Sequence, residues 1–259
     1  MDPARPAENH VSERCDTDKA AAGPPGPAAA ATVSQAVARR RSIRRFADRP
    51  VDRARVEDIL RRAARAPSGS NVQPWEARIV DGPRMAELRA LMRRLRAEQP
   101  GGEPLDPPFQ PATPPPEWAA RRTRNGEILY GALNIDREDA AARAAWNEEN
   151  FQFFGAPLGV FLLAPRANTA WQWLDLGIYL QTVLLLLEEA GLGACPQADW
   201  ALHGQAVARF LDADPALRLP VGIAIGHPDP AAPENRIRTE RDDPLARDPS
   251  ASPLPPGAL

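Results

Sequence analysis

The chain has 259 residues, 43% of them hydrophobic and 25% charged, enough for one core-burying domain with extensions and too few for two full catalytic domains. A formal net charge of -2 excludes a general pull toward nucleic acid or acidic lipid, so any anion binding has to come from a local cluster. Two cysteines (Cys15, Cys195) and three histidines (His10, His203, His227) are too scattered for a disulfide framework or a ligand pattern, which predicts a reducing compartment and no bound metal.

Residues 1–32, with their AAAGPPGPAAAAT stretch, hold too few large apolar groups to offset ordering entropy and are read as a mobile tail. Acidic side chains and the lack of a compact apolar segment argue against a secretion signal and for a cytoplasmic protein. Ser34 is the expected N-cap of a short helix, QAVARRR, that runs into RSIRRF. From Arg53, Val56, Ile59, Leu60 and Ala63 recur at helical spacing until Pro67, which opens the turn-rich loop PSGSNVQPW. Glu76 to Asp81 alternates as a half-buried strand, and Asp81-Gly82-Pro83 turns into a helix carrying Met85, Leu88 and Leu91.

Residues 98–116 are crowded with proline and glycine and read as a surface excursion that either covers a site or decorates the surface. Helical patterns follow at 117–133 and 137–149, and PLGVFLLA is a continuous apolar strand expected at the centre of a sheet. Trp171 to Ala190 is hydrophobic around most of its circumference, which predicts burial on several sides and a place at the spine of a dimer. Its apolar run, Leu174 to Leu187, is broken by Asp175, Gln181 and Thr182 and falls short of the roughly 20 residues of a membrane span. Gly191-Leu192-Gly193 stops it, ACPQ leads out, Leu202 to Leu211 is helical, and LRLPVGIAIG is a final strand. The rest is loop-like, with 244–259 a flexible tail.

Five arginines surround one hydroxyl in Arg39-Arg40-Arg41-Ser42-Ile43-Arg44-Arg45. Guanidinium forks with a short-range hydroxyl suit a phosphate, although a basic run taken alone is more often a solvated face or a nucleic-acid patch. The loop from Ala66 to Trp75 gathers hydroxyls, amides and a glycine suited to the edge of a planar heteroaromatic ring, or equally to an ordinary turn. Cys195 has no histidine partner in sequence and reads as a small buried filler; His203 reads as a surface or capping residue, and His227 lies in a turn.

In combination, RRSIRRF, APSGSNVQPW, NFQFFGAPLGVFLL, WLDLGIYLQTVLLLLEEAGLGACPQADWA and PVGIAIGHPDPAAPENRIRTERD resemble the FMN-dependent nitroreductase family over residues 34–243. RNGEILYGALNI adds a likeness to its nitrobenzoate reductase branch. The resemblance implies an α+β fold with a mainly antiparallel sheet flanked by helices, a domain spanning 33–243, and an intertwined homodimer with FMN sites built from both chains. It implies that Arg40, Arg41 and Ser42 hold the FMN phosphate, with Arg241 and Arg238 as a second basic arm, and that Arg44 approaches the N1 and O2 side of the ring. Pro67, Ser68, Gly69, Asn71 and Gln73 would come from the partner subunit, and Pro196, Gln197 and Ala198 would lie near N5. Tyr130, Asn150, Phe151 and Trp118 are candidates for an acceptor pocket, although aromatics at such spacing are more often core.

The implied activity is ping-pong reduction of a nitroaromatic or quinone by NADH or NADPH, with chemistry at the flavin and no catalytic amino acid. An oxidase, dehydrogenase or dehalogenase on the same fold, a non-catalytic flavin-binding protein, and nucleic-acid binding through the Arg39–Arg45 cluster are the alternatives; the acidic balance disfavours the last. The chain after Asp243 lacks the apolar segment with which many relatives wrap around their partner, so a less swapped C-terminus is expected.

Overall fold

The computed structural model describes residues 32–105, 107–248 and 250–252, so the predicted N-terminal tail up to residue 31, with His10 and Cys15, lies outside the described residues, as does the end of the C-terminal one. Helix α1 (Val33–Arg39) is capped by Thr32, whose hydroxyl accepts from the Gln35 amide at 3.2 Å; the cap expected at Ser34 lies inside the helix. Helix α2 (Arg53–Ala63) starts on the Asp52 side chain and buries Val56, Ile59, Leu60 and Ala63 as its spacing predicts. Each of the larger three contributes about 1.5–3 kcal/mol by leaving water.

The strands β1 (Glu76–Asp81), β2 (Leu158–Pro165), β3 (Gly193–Gln197) and β4 (Leu217–Gly226) form one sheet in the order β1-β2-β4-β3, and every pairing is antiparallel. The PLGVFLLA segment is central, and Leu158 through Ala164 are all buried because both faces of the sheet are covered. One face packs α2 and the long helix α6 (Ala170–Glu189); the other packs α3 (Gly82–Glu98), α7 (Gly204–Phe210) and an aromatic cluster of Phe151, Phe153, Phe161 and Trp200. Gly159 and Gly222 make room for that cluster: a Cβ on Gly159 would stand 2.5 Å from the Phe153 ring, and one on Gly222 2.5 Å from Trp200.

Several expectations change. ACPQ belongs to β3, an edge strand, where a proline inside a strand is tolerated. The helix read from Leu202 begins as a 3₁₀ turn (Ala198–His203), which rotates His203 inward to 1% exposure against the edge of Phe151 at 5.7 Å; it is not a surface residue, and it stands at the N-cap position of α7 without a side-chain capping hydrogen bond. In α3 Met85 and Leu88 are buried as expected, and the third buried residue is Met92 rather than the half-buried Leu91. Helix α6 reaches the 20 residues of a membrane span, but Leu176, Tyr179, Val183, Leu184 and Leu187 pack into the core. Within one chain it is not buried all round: Trp171 is 74% and Leu174 60% exposed, and Gly177 and Gln181 continue that open stripe.

The Pro-rich excursion is pinned to α7. Gly102, at φ +73°, lies so close to Leu202 that a Cβ would fall 2.5 Å from its carbonyl oxygen. The Glu103 carboxylate then accepts from the amides of Gln205 (2.9 Å) and Ala206 (3.2 Å), where a negative charge is favourable at a helix start. Helix α4 (Pro116–Ala132) follows with no buried residue, and α5 (Ala140–Glu148) buries Trp146.

Candidate active site

The arm after α1 crosses the end of the sheet. Ser42 bridges Ala194 of β3, the Ile43 amide donates to the Ala194 carbonyl at 3.0 Å, and Phe46 bridges Pro228 just beyond β4. Two glycines at this end permit the crossing, since a Cβ on Gly193 would meet Ile43 at 2.9 Å and one on Gly226 would meet Phe46 at 2.6 Å.

The arm is held from the other end of the chain by a buried pair that the sequence did not single out, Glu234 and Asn235. The Asn235 side chain accepts from the Arg44 amide (2.9 Å) and donates to the carbonyls of Arg45 (2.7 Å) and Asp229 (3.0 Å). Its backbone carbonyl accepts from Arg41 Nε at 2.5 Å, and Glu234 pairs with Arg45 at 3.3 Å. Arg238 reaches back to the carbonyls of Ala38 and Arg39 at 3.1 and 3.0 Å. The two basic segments are thus clamped side by side.

That clamp sets the electrostatics. The Arg40 guanidinium is held below its usual range by burial and then by the positive charge of Arg241; Arg41 is lowered by burial and then by Arg238. Glu188 is the carboxylate that opposes both shifts, and it also pairs with Arg39 at 3.3 Å. Partly desolvated arginines pressed together suit a phosphate, which would supply negative charge and acceptor oxygens. Ser42, Arg44 and Arg241 line one cleft of about 860 Å³ here, walled by α4, whose Arg124 binds Glu240 at 2.9 Å and whose Arg121 pairs with Asp242.

Along the edge strand, Gln197 is 3% exposed with its side chain turned inward: Nε2 donates to the Asn150 carbonyl at 2.7 Å, and Oε1 accepts from Trp200 Nε1 at 3.3 Å. Pro196 is half-buried and Ala198 exposed, so this strand offers a ligand its backbone rather than a functional side chain. Cys195 is buried, which pushes its thiol pKa up and keeps it protonated, in keeping with a filler. Among the pocket candidates, Phe151 is 4% exposed and belongs to the aromatic core, the alternative weighed for it from the sequence. Tyr130 lines a separate cleft on the opposite side of α4, Asn150 binds Gln197 and Asn147, and Trp118 is 52% exposed.

The loop from Pro67 to Gln73 lies elsewhere. Ser70, Asn71 and Gln73 take positive φ angles of 50°, 58° and 49°, and Ser68 Oγ accepts from the Gln73 amide at 3.0 Å. The Gly69 amide donates to Asp175 near the start of α6, whereas Arg39 pairs with Glu188 near its end. Thirteen helical residues at 1.5 Å each separate those anchors by roughly 20 Å, so within one chain the loop and the arginines stand at opposite ends of α6.

An antiparallel sheet between helical layers, with an arginine-rich cleft at one end, defines an α+β protein. The chain belongs to the nitroreductase family, whose model matches residues 37–227. It is 34% identical over 211 residues to a 4-nitrobenzoate reductase of Pseudomonas putida, covering 80% of this chain and 89% of that protein. The structure is similar to that of an FMN- and NADPH-dependent nitroreductase from Sphigopyxis sp. strain HMH, with a TM-score of 0.80, 41% identity and coverage of 86% of this chain and 100% of that one. An FMN-dependent nitroreductase of Mycobacterium smegmatis, solved in complex with NADPH, matches with a TM-score of 0.77 and 30% identity over 86% of this chain and 100% of that one.

Proposed function

We propose that this chain is an FMN-dependent oxidoreductase that uses NADPH or NADH to reduce small nitroaromatic or quinone-like acceptors, working in the cytoplasm as a homodimer with two shared active sites. The observation that carries the reading is a pair of partly desolvated arginines, Arg40 and Arg41, held against the exposed Arg238 and Arg241 from the other end of the domain. The two solved relatives supply the cofactors by analogy, since both are described as FMN-dependent and NADPH is named with each.

In this reading Arg40, Arg41, Ser42, Arg238 and Arg241 hold the FMN phosphate. Arg44 brings positive charge to the pyrimidine side of the ring, favouring its anionic reduced form. FMN, when bound, supplies two-electron chemistry between the nicotinamide and the acceptor, so no side chain acts as a nucleophile. The backbone of Pro196, Gln197 and Ala198 supports the ring, with Gln197 locked by Trp200 and Asn150 so that it does not intrude. Tyr130 and Asn150 are the remaining acceptor-side candidates. The same arginines are folded onto their own backbone rather than spread along a solvated stripe, which argues against a nucleic-acid partner.

The roughly 20 Å that separate the loop and the arginines within one chain support the dimer reading. Packing two copies of α6 antiparallel through Trp171, Leu174, Gly177 and Gln181 covers the open apolar stripe. In such a dimer, with the start of α6 in one copy turned toward the end of α6 in the other, Pro67, Ser68, Gly69, Asn71 and Gln73 of one copy would stand beside Arg40 to Arg44 of its partner. Exposed Val33, Val37 and Val72 extend the apolar surface toward the same partner.

The test is anaerobic spectroscopy of the full chain after reconstitution with FMN. Flavin bands that bleach with NADPH or NADH and return on adding a nitroaromatic are expected; a chain that takes up no FMN overturns the assignment.

A further inference from the structure

Helix α6 grips the 67–73 loop at both ends from a single face. Near the loop's start, the Gly69 amide donates to Asp175 Oδ2 at 3.2 Å. Just past its end, Trp75 stacks on Tyr179 with ring centroids 4.8 Å apart and planes 7° from parallel. Asp175 and Tyr179 are four residues apart, so they stand one above the other on the helix. Both are buried, at 7% and 3% exposure, and Tyr179 is itself tied down by donating to the Leu60 carbonyl at 3.2 Å.

Between these two grips the loop is strained. Three L-residues, Ser70, Asn71 and Gln73, take positive φ, a conformation that persists only where the surroundings over-determine it. Its internal hydrogen bonds, Asn71 N–H to the Ser68 carbonyl (2.9 Å) and Val72 N–H to the Gly69 carbonyl (3.1 Å), close the turn without fixing it to the rest of the protein. The Asp175 carboxylate does that, a carboxylate being the stronger kind of acceptor for an amide.

Gly69 also points outward to a ligand. Its φ is not positive, and a Cβ built there would meet nothing nearer than Asp175 Oδ2 at 3.9 Å. Among the described residues nothing therefore requires glycine here, whereas a ligand or partner approaching the backbone closely would.

We infer that Asp175 is a positioning residue for FMN: through the Gly69 amide it holds the loop of its own chain in the strained form that embraces the cofactor bound at the partner's arginines. This inference rests on the reading of residues 67–73 as a cofactor loop. Asp175 touches neither cofactor nor substrate, and its effect is exerted on how tightly FMN is held.

The experiment compares wild type, Asp175→Ala and Asp175→Asn as full chains, measuring FMN dissociation constants by fluorescence quenching and hydrogen exchange of the 66–75 segment in the apo form. Asp175→Ala is expected to weaken FMN by at least about ten-fold, the value of losing a charge-assisted hydrogen bond. It should speed exchange at residues 66–75 while leaving β2 and β4 unchanged, which separates positioning from general destabilisation. Asp175→Asn, which keeps an acceptor oxygen, should stay within about three-fold of wild type. FMN binding by Asp175→Ala equal to wild type, or an Asp175→Asn variant as weak as Asp175→Ala, overturns the inference. Should Asp175→Ala not fold, fast exchange of the Gly69 amide in the wild-type chain overturns it and slow exchange supports it. A wild-type chain that binds no FMN instead sinks the cofactor reading beneath it.

Discussion

Replacing Asn235 by alanine removes the tie between the two halves of the proposed phosphate site. Its side chain makes three hydrogen bonds, to the Arg44 amide and to the carbonyls of Arg45 and Asp229, and it is 2% exposed. Counting about 1 kcal/mol net for each, the loss is about 3 kcal/mol. For a domain of this size 1 kcal/mol moves the melting temperature by about 2–4 °C, which gives a drop of roughly 6–12 °C in the apo protein. Asn235→Asp should be at least as damaging, because it keeps the acceptor for Arg44 but turns a carboxylate toward two carbonyl oxygens. Thermal melts of the apo chain followed by circular dichroism measure this directly. A shift under about 2 °C for Asn235→Ala would refute the idea that this side chain holds the arm.

Arg241→Gln should weaken FMN while leaving the apo protein as stable or slightly more so, by no more than about 0.5 kcal/mol, because it relieves repulsion on Arg40 at an exposed position; paired FMN titrations and apo melts check both halves. Leu174→Arg, on the open stripe of α6, should give monomers by sedimentation and abolish FMN binding, whereas the same change at exposed Leu245 should do neither. His203 is buried with Nε2 unpartnered, and its pKa is lowered by burial first and by Arg96 second. The unfolded chain therefore binds the extra proton first, and the stability held above about pH 6.5 is lost as pH falls below it. His227 shifts in the same direction, so acid melts of His203→Gln should show a shallower loss than wild type, not a flat one.

What the sequence made legible was what local pattern encodes. The bounds of β1 and β4, the burial of α2 and the central place of β2 follow from period and apolar content. β3 was missed because GACPQ carries a glycine and a proline within five residues and reads as a turn; only its edge position makes it a strand. The burial of His203 was not legible because helical spacing says nothing of a 3₁₀ turn that swings it against Phe151. Glu234 and Asn235 carried no local signal, since their work is done on residues about 190 positions earlier. The Arg40–Arg44 and Pro67–Gln73 motifs were visible, but not that α6 keeps them apart within one chain.

That separation makes subunit mixing the most direct test. A chain with Arg40→Gln and Arg41→Gln and a chain with Gly69→Trp should each lack FMN binding and activity alone. Co-refolded in equal amounts, they form hybrid dimers with one intact site, and flavin and NADPH-dependent activity should return to roughly a quarter of wild type. No recovery from hybrid dimers shown to form, or full sites in either variant alone, would contradict an active site shared between two copies.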